Sequence, residues 1–221
     1  MFITFEGLDC SGKSTQAKLL VERLRLFLPG IGRNQTVHLI REPGGTRISE
    51  RVREILLDRR SLELNADAEL LLFSASRAQL VREVIVPALA RREFVVCDRF
   101  LDSTTAYQGY GRGVDLQAIN SIHRIATAGI TPDLTLLMDI PLEEVRRRKT
   151  GMNAEEDRME ASGESFYRRV RDGYLDLATR EKNRIAVLDG TKSVEVVARA
   201  VWTIVERLIQ NTEQDFSKAE R

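Results

Sequence analysis

The sequence predicts a three-layer α/β/α fold built on a parallel five-stranded sheet. Three observations predict it. Short apolar runs alternate with helix-periodic segments along the whole chain, one apolar run passes straight into a glycine-rich loop and a helix, and several apolar runs end in an acidic residue. Strands that alternate with helices form parallel sheets covered on both faces, and ligands bind beyond the carboxyl ends of those strands.

Met1 to Glu6 is short, apolar and rich in β-formers, and it ends at Gly7. From Lys13 onward Ala17, Leu20, Val21, Leu24 and Leu28 recur at helical spacing until Pro29-Gly30. Val37 to Ile40 is the second strand, and Ile48, Val52, Ile55 and Leu56 mark a helix. Ala66 to Ala90 is a longer helical stretch with a break expected near Pro87. Phe94 to Cys97 is a strand ending at Asp98, Leu116 to Ala128 a helix, and Leu134 to Met138 a strand ending at Asp139. Helices are expected over Glu143 to Lys149 and Glu164 to Lys182, a last strand over Arg184 to Leu188 and a last helix over Val194 to Ile209. The polar residues 211–221 read as a frayed tail. No internal repeat or linker divides the 221 residues, so they are expected to form a single domain.

Composition narrows the function. Lys and Arg number 34 against 33 Asp and Glu, a net charge near +1 that gives no reason to expect nucleic acid or a membrane surface as partner. Two cysteines, Cys10 and Cys97, do not make a disulfide framework, which points to a reducing, cytoplasmic setting. No stretch approaches the roughly 18 apolar residues of a membrane span, and the N-terminus lacks the basic region of a signal peptide.

Gly7-Leu8-Asp9-Cys10-Ser11-Gly12-Lys13-Ser14 matches G-x-x-x-x-G-K-[ST] between a strand and a helix. Glycines let the backbone curl, so that N–H groups and a helix N-terminus form an anion cradle. Lys13 is placed to reach the β- and γ-phosphates of a nucleotide, and the Ser14 hydroxyl to hold Mg²⁺. The motif alone does not decide among GTPases, transport ATPases and small-molecule kinases. A guanine-selecting N-K-x-D is absent from the chain, which disfavours the signalling GTPases. Asp98-Arg99 closes a strand: Asp98 can orient a Mg²⁺-bound water or accept from Ser14, and Arg99 can grip a second phosphate. The hydroxyl, phenol and amide groups of Ser103, Thr104, Tyr107 and Gln108 follow closely and suit a base and a sugar. Asp139 is read as a helix-capping acid before Glu143.

Four blocks resemble the bacterial thymidylate kinases. They are Phe5-Glu6-Gly7-Leu8-Asp9 running into Gly12-Lys13-Ser14-Thr15-Gln16, Arg41-Glu42-Pro43-Gly44-Gly45-Thr46, Asp98-Arg99 with Ser103 and Ala106-Tyr107-Gln108-Gly109, and Asp157-Arg158-Met159-Glu160 with Phe166 and Tyr174. The resemblance implies a P-loop nucleoside monophosphate kinase fold and transfer of the ATP γ-phosphoryl to dTMP with Mg²⁺, in a homodimer. It implies that residues 7–15 hold ATP, with Arg147 on the adenine. Phe73 stacks on thymine, Arg77 hydrogen-bonds a thymine carbonyl, Ser103 and Thr104 meet the base edge, and Gln108 belongs to the dTMP site. Tyr107 lies under the sugar, Asp9 takes the 3′-hydroxyl or its metal-bound water, Pro43 fixes the loop beside the monophosphate, and Arg99 holds that phosphate. Residues 146–163 resemble a lid whose Arg158 folds over the phosphates, which agrees with the lack of arginine in the P-loop itself. Lys13, Arg99, Arg158 and Asp9 are therefore the expected catalytic set, and Ser14 and Asp98 the metal contacts.

The chain departs from the family pattern at Cys10-Ser11, at Phe100 and in the acidic stretch Thr150 to Glu156. His38 and His123 match no role, and Trp202 reads as core. Glu143–Arg147 and Glu144–Arg148 fit ordinary i,i+4 pairs on a solvated helix.

Overall fold

The computed structural model describes residues 1–150, 158 and 162–219, with 213–219 as backbone alone. Five strands, β1 (Phe2–Glu6), β2 (Val37–Arg41), β3 (Phe94–Asp98), β4 (Leu134–Asp139) and β5 (Ile185–Asp189), form one sheet in the order β2-β3-β1-β4-β5. Every pairing is parallel, with Phe2 opposite Val95 and Ile3 opposite Leu134. The chain leaves β1 for one edge, returns through β3, and then crosses to β4 on the other side. The carboxyl end of β1 thus lies at the switch point, where doubly wound sheets bind ligands.

Helices α1 (Lys13–Gly30), α2 (Arg47–Leu57), α3 (Ala66–Leu80), α4 (Val86–Ala90), α5 (Leu101–Thr104), α6 (Leu116–Ala126), α7 (Leu142–Thr150), α8 (Glu164–Arg180) and α9 (Val194–Ala219) cover the sheet. Strand side chains alternate between the two faces. Ile3, Phe5, Val96, Leu136 and Met138 pack with Leu20 and Leu24 of α1 and with Val201 and Trp202 of α9. Phe2, Val95 and Cys97 point the other way, onto Leu80, Val81, Ile85 and Phe100. Trp202 is core, as expected, and stacks edge-on with Phe27. This second face also carries a buried polar line. Thr4 bonds Thr135 at 2.8 Å, and Arg184 clamps Asp102 with two bonds of 2.7 and 2.8 Å. Asp102 belongs to α5, so the pair ties the short helix that follows Arg99 to the sheet.

The break expected near Pro87 lies just ahead of it. Val81–Ile85 forms a π-helical turn, and the Val86 N–H reaches back to the Val81 carbonyl. Pro87 has no N–H for the carbonyl four residues earlier, so wider bonding takes over. The sequence assigned no element to 101–111, yet α5 runs into a second π-helical stretch, Thr105–Gly111. Its seat is a close backbone approach to α8: a Cβ on Gly111 would lie 2.5 Å from the Phe166 ring, and one on Gly173 would lie 2.5 Å from Tyr110. Helix α9 continues to Ala219, through most of the expected frayed tail. Of the lid segment, 151–157 and 159–161 lie outside the described residues, Asp157, Met159 and Glu160 among them. Among the described residues, no helix is long and apolar enough to cross a membrane.

Candidate active site

The phosphate cradle is built at the end of β1. Gly7 has φ of 133° and packs so tightly that a Cβ would collide with the Met138 carbonyl oxygen. Gly12, at φ 95°, turns the chain into α1. Cys10, at φ 60°, holds a left-handed conformation between them. Lys13 is buried and donates to the Leu8 carbonyl at 2.7 Å. Burial and the nearby Arg99 push Lys13 down to about 8. The Ser14 hydroxyl donates to Asp98, which joins the two expected metal contacts. A hydroxyl and a carboxylate are hard oxygen donors, the set that suits Mg²⁺ alongside nucleotide phosphates. The Ser11 hydroxyl is buried with no hydrogen-bond partner among the described residues. A cavity lined by Asp9 to Gln16 opens over this loop.

Arg99 sits at the end of β3 with φ of 69°, a conformation that costs a non-glycine residue roughly 1–2 kcal/mol. Its N–H groups donate to the Gly7 carbonyl at 3.1 Å, Ser103 at 3.1 Å, Tyr107 at 3.2 Å and the Asp9 carboxylate at 2.6 Å. Burial opposes charge on Asp9, but Arg99 and Lys13 outweigh it and hold the carboxyl at about 2. Glu6 stabilises the turn around Arg99. Its carboxylate accepts from the Phe100 N–H at 2.6 Å, the Ser103 hydroxyl at 2.6 Å and the Tyr174 hydroxyl at 2.8 Å. Burial and the nearby Asp102 raise Glu6 to about 7.

A second cavity lies beside Arg99, lined by Asp9, Glu42, Pro43, Arg53, Leu57, Phe73, Arg77, Ser103, Thr104, Tyr107 and Gln108. All the residues expected around the acceptor nucleotide border it. Asp9 and Arg53 also line the P-loop cavity, so the two spaces adjoin. Arg77 is fully buried and donates to Glu42 at 2.7 Å, Thr104 at 2.9 Å and the Phe100 carbonyl at 3.0 Å. Burial, only partly offset by Arg77, raises Glu42 to about 7. Its second oxygen has no hydrogen-bond partner among the described residues. The peptide bond from Glu42 to Pro43 is cis.

The family model described as thymidylate kinase matches residues 5–201. The chain belongs to the thymidylate kinase family. It is 49% identical over 203 residues to the thymidylate kinase of Kosmotoga olearia, which covers 91% of this chain and 93% of that one. It is 50% identical over 205 residues to that of Pelodictyon phaeoclathratiforme, covering 89% and 91%. The crystal structure of thymidylate kinase from Ehrlichia chaffeensis superposes with a TM-score of 0.74 at 36% identity, over 93% of this chain and 98% of that one.

Two expected residues, Arg158 and Asp139, stand elsewhere than the sequence reading implied. Arg158 does not line the phosphate cavity. It is buried, and donates to the Leu56 carbonyl at 2.8 Å and to Glu69 at 2.7 Å. A buried carboxylate holds a guanidinium through strong charge-assisted bonds, and Glu69 is 89 residues away in sequence. Arg147 lines the phosphate cavity, where it is mostly exposed and paired with Glu144 at 2.7 Å. Asp139, expected as a helix cap, instead makes a two-pronged pair with Arg171 of α8 at 2.7 and 2.8 Å. The expected Glu144–Arg148 pair forms at 2.6 Å, whereas Glu143 lies 4.0 Å from Arg146. His38 pairs with Glu93 at 2.7 Å, and His123 is buried beside Thr105, where burial lowers it to about 3.

Sequence reasoning missed several members of the site. Arg53 lines both cavities and donates to the Pro43 carbonyl at 2.9 Å. Arg148 joins the P-loop to the turn after β5, donating to the Cys10 carbonyl at 3.0 Å and the Gly190 carbonyl at 2.7 Å. Its only sequence signal was an i,i+4 pair. Glu69 carried no signal beyond its place in a helix, and Glu6 only its place in the first family-like block.

Proposed function

We propose that this chain transfers the γ-phosphoryl group of ATP to the 5′-phosphate of dTMP, with Mg²⁺ as the divalent ion. One observation carries the reading: the P-loop cavity and the Arg99 cavity share Asp9 and Arg53, so a donor phosphate in one lies next to an acceptor phosphate in the other. Phosphoryl transfer needs in-line placement and charge neutralisation more than covalent help. Lys13 and the N–H groups of residues 7–15 hold the donor phosphates, and Arg147 and Arg148 border the same cavity. Mg²⁺ held by Ser14 and Asp98 would neutralise charge on the β- and γ-phosphates. Arg99, set by Asp9 and Ser103, orients the acceptor phosphate. That phosphate oxygen is already a competent nucleophile, so no strong base is required. Phe73 and Gln108 receive the base with Arg77, Ser103 and Thr104. Tyr107 lies under the sugar and Pro43 borders the monophosphate. In this scheme Arg158 acts on the acceptor side, through Glu69.

We place the enzyme in the cytoplasm as a homodimer. Cys10 and Cys97 are not disulfide-bonded, in keeping with a reducing compartment. Ile48 and Ile55 on α2, Leu71 on α3 and Ile125 on α6 are exposed apolar side chains, α2 packs on α3 and α3 on α6, and a second copy of the chain would cover such side chains. Sedimentation at micromolar concentration is expected to give twice the 25.1 kDa chain mass, and a monomer would remove the dimer.

ADP release measured with dTMP, dUMP, thymidine, CMP and GMP as acceptors tests the function. The expected result is fastest turnover with dTMP and slow turnover with thymidine, which brings no phosphate to Arg99. Preference for thymidine, CMP or GMP would reassign the substrate. Slow hydrolysis indifferent to every acceptor would point instead to a nucleotide-driven switch.

A further inference from the structure

Glu69 lies in the first turns of α3 and is 1% exposed. Phe73 and Arg77 follow at intervals of four, so the three share one helix face, and the latter two line the acceptor cavity. One Glu69 oxygen accepts from the Gln108 side-chain amide at 2.8 Å and from Arg112 Nε at 3.2 Å. The other accepts from Arg158 at 2.7 Å and from the Arg112 terminal nitrogen at 3.3 Å. Each of these partners is a donor, and carboxylate oxygens only accept. The amide nitrogen of Gln108 must therefore face Glu69, whichever way the side-chain amide would otherwise turn. Gln108 lines the cavity beside Phe73, and with its amide nitrogen turned to Glu69 its carbonyl oxygen can accept from a ligand.

We infer that Glu69 is the positioning residue that sets the pyrimidine preference of the enzyme, by fixing the Gln108 amide so that its oxygen meets the N3 edge of the base. Thymine and uracil carry a hydrogen on N3 and match that oxygen. Cytosine carries a lone pair there and is repelled. Presenting one acceptor rather than one donor is a strong filter, because the wrong base leaves a buried polar group unpaired. The inference rests on the dTMP kinase reading.

Glu69→Gln tests it. In the variant the side-chain oxygen at 69 stays with the buried Arg158, the more exposed Arg112 Nε swings away, and the new amide NH₂ faces Gln108. The Gln108 amide then turns over and presents its NH₂ to the base. The kcat/KM ratio of dTMP over dCMP is expected to fall by at least about 10-fold, with dUMP falling alongside dTMP and dCMP rising. Glu69→Asp keeps an acceptor and should retain most of the wild-type ratio. Should Glu69→Gln prove insoluble, Gln108→Leu removes the oriented amide directly and should lower the same ratio. A ratio held within about 2-fold in the soluble variant, with all three substrates declining together, would leave Glu69 a packing residue and overturn the inference. Failure of the wild-type enzyme to prefer dTMP over dCMP at all would instead strike the functional reading beneath it.

Discussion

Arg99→Ala lowers kcat/KM for dTMP by at least about 100-fold, about 2.7 kcal/mol of lost transition-state stabilisation. The magnitude follows from position. The bonds of Arg99 reach the P-loop backbone at Gly7, the side chains of Asp9 and Tyr107, and the Ser103 turn. Alanine removes the planar donors that would clamp the acceptor phosphate. It also leaves Asp9, held at about 2 by Arg99 and Lys13, as a bare carboxylate beside an incoming anion. Arg99→Lys restores a charge without the fork and should recover only part of the rate. The backbone at this position stays clamped by Glu6 and by the Asp102–Arg184 pair, so thermal denaturation should show both variants folded. Steady-state kinetics with varied dTMP checks the prediction; a folded Arg99→Ala enzyme within about 5-fold of wild type would remove Arg99 from the phosphate.

The sheet was legible because each strand carries its own period and each helix its own stripe. β1, β3 and β4 are continuous apolar runs, as strands buried on both faces must be, and their boundaries fall within a residue of those read from sequence. The two π-helical stretches were not legible. Val81–Ile85 continues a helical pattern without a change in composition. Thr105–Gly111 is rich in glycine and tyrosine and reads as loop until α8 is placed against it. Such a geometry depends on distant packing, which no local propensity encodes.

The site divides along the same line. The P-loop, Asp98-Arg99 and the Ser103 to Gln108 cluster are contiguous in sequence, and the fold brings them together as expected. Arg158 lies away from the phosphate cavity because a charged side chain chooses among partners far apart in the chain. Its buried contact with Glu69 could not be weighed against a phosphate from sequence alone. Arg53 and Arg148 were passed over for the opposite reason. Both sit on helices full of charge, where a single arginine that turns inward looks like its solvated neighbours.

The second large effect concerns a ligand that joins adenosine and thymidine through a chain of five phosphates. If the cavities over Lys13 and beside Arg99 are two ends of one cleft, both ends of that ligand bind at once, and the second contact is intramolecular. Effective concentrations in the millimolar range then make it at least about 100-fold tighter than either nucleotide alone. Lys13→Ala and Arg99→Ala should each weaken it, since each removes one anchor from a shared phosphate chain. Titration calorimetry with the linked ligand, ATP and dTMP on the same enzyme is the measurement. One site per chain and an affinity beyond that of both single nucleotides is the expected outcome. Binding no tighter than the better of the two would mean that the pockets do not communicate, and would contradict direct phosphoryl transfer between them.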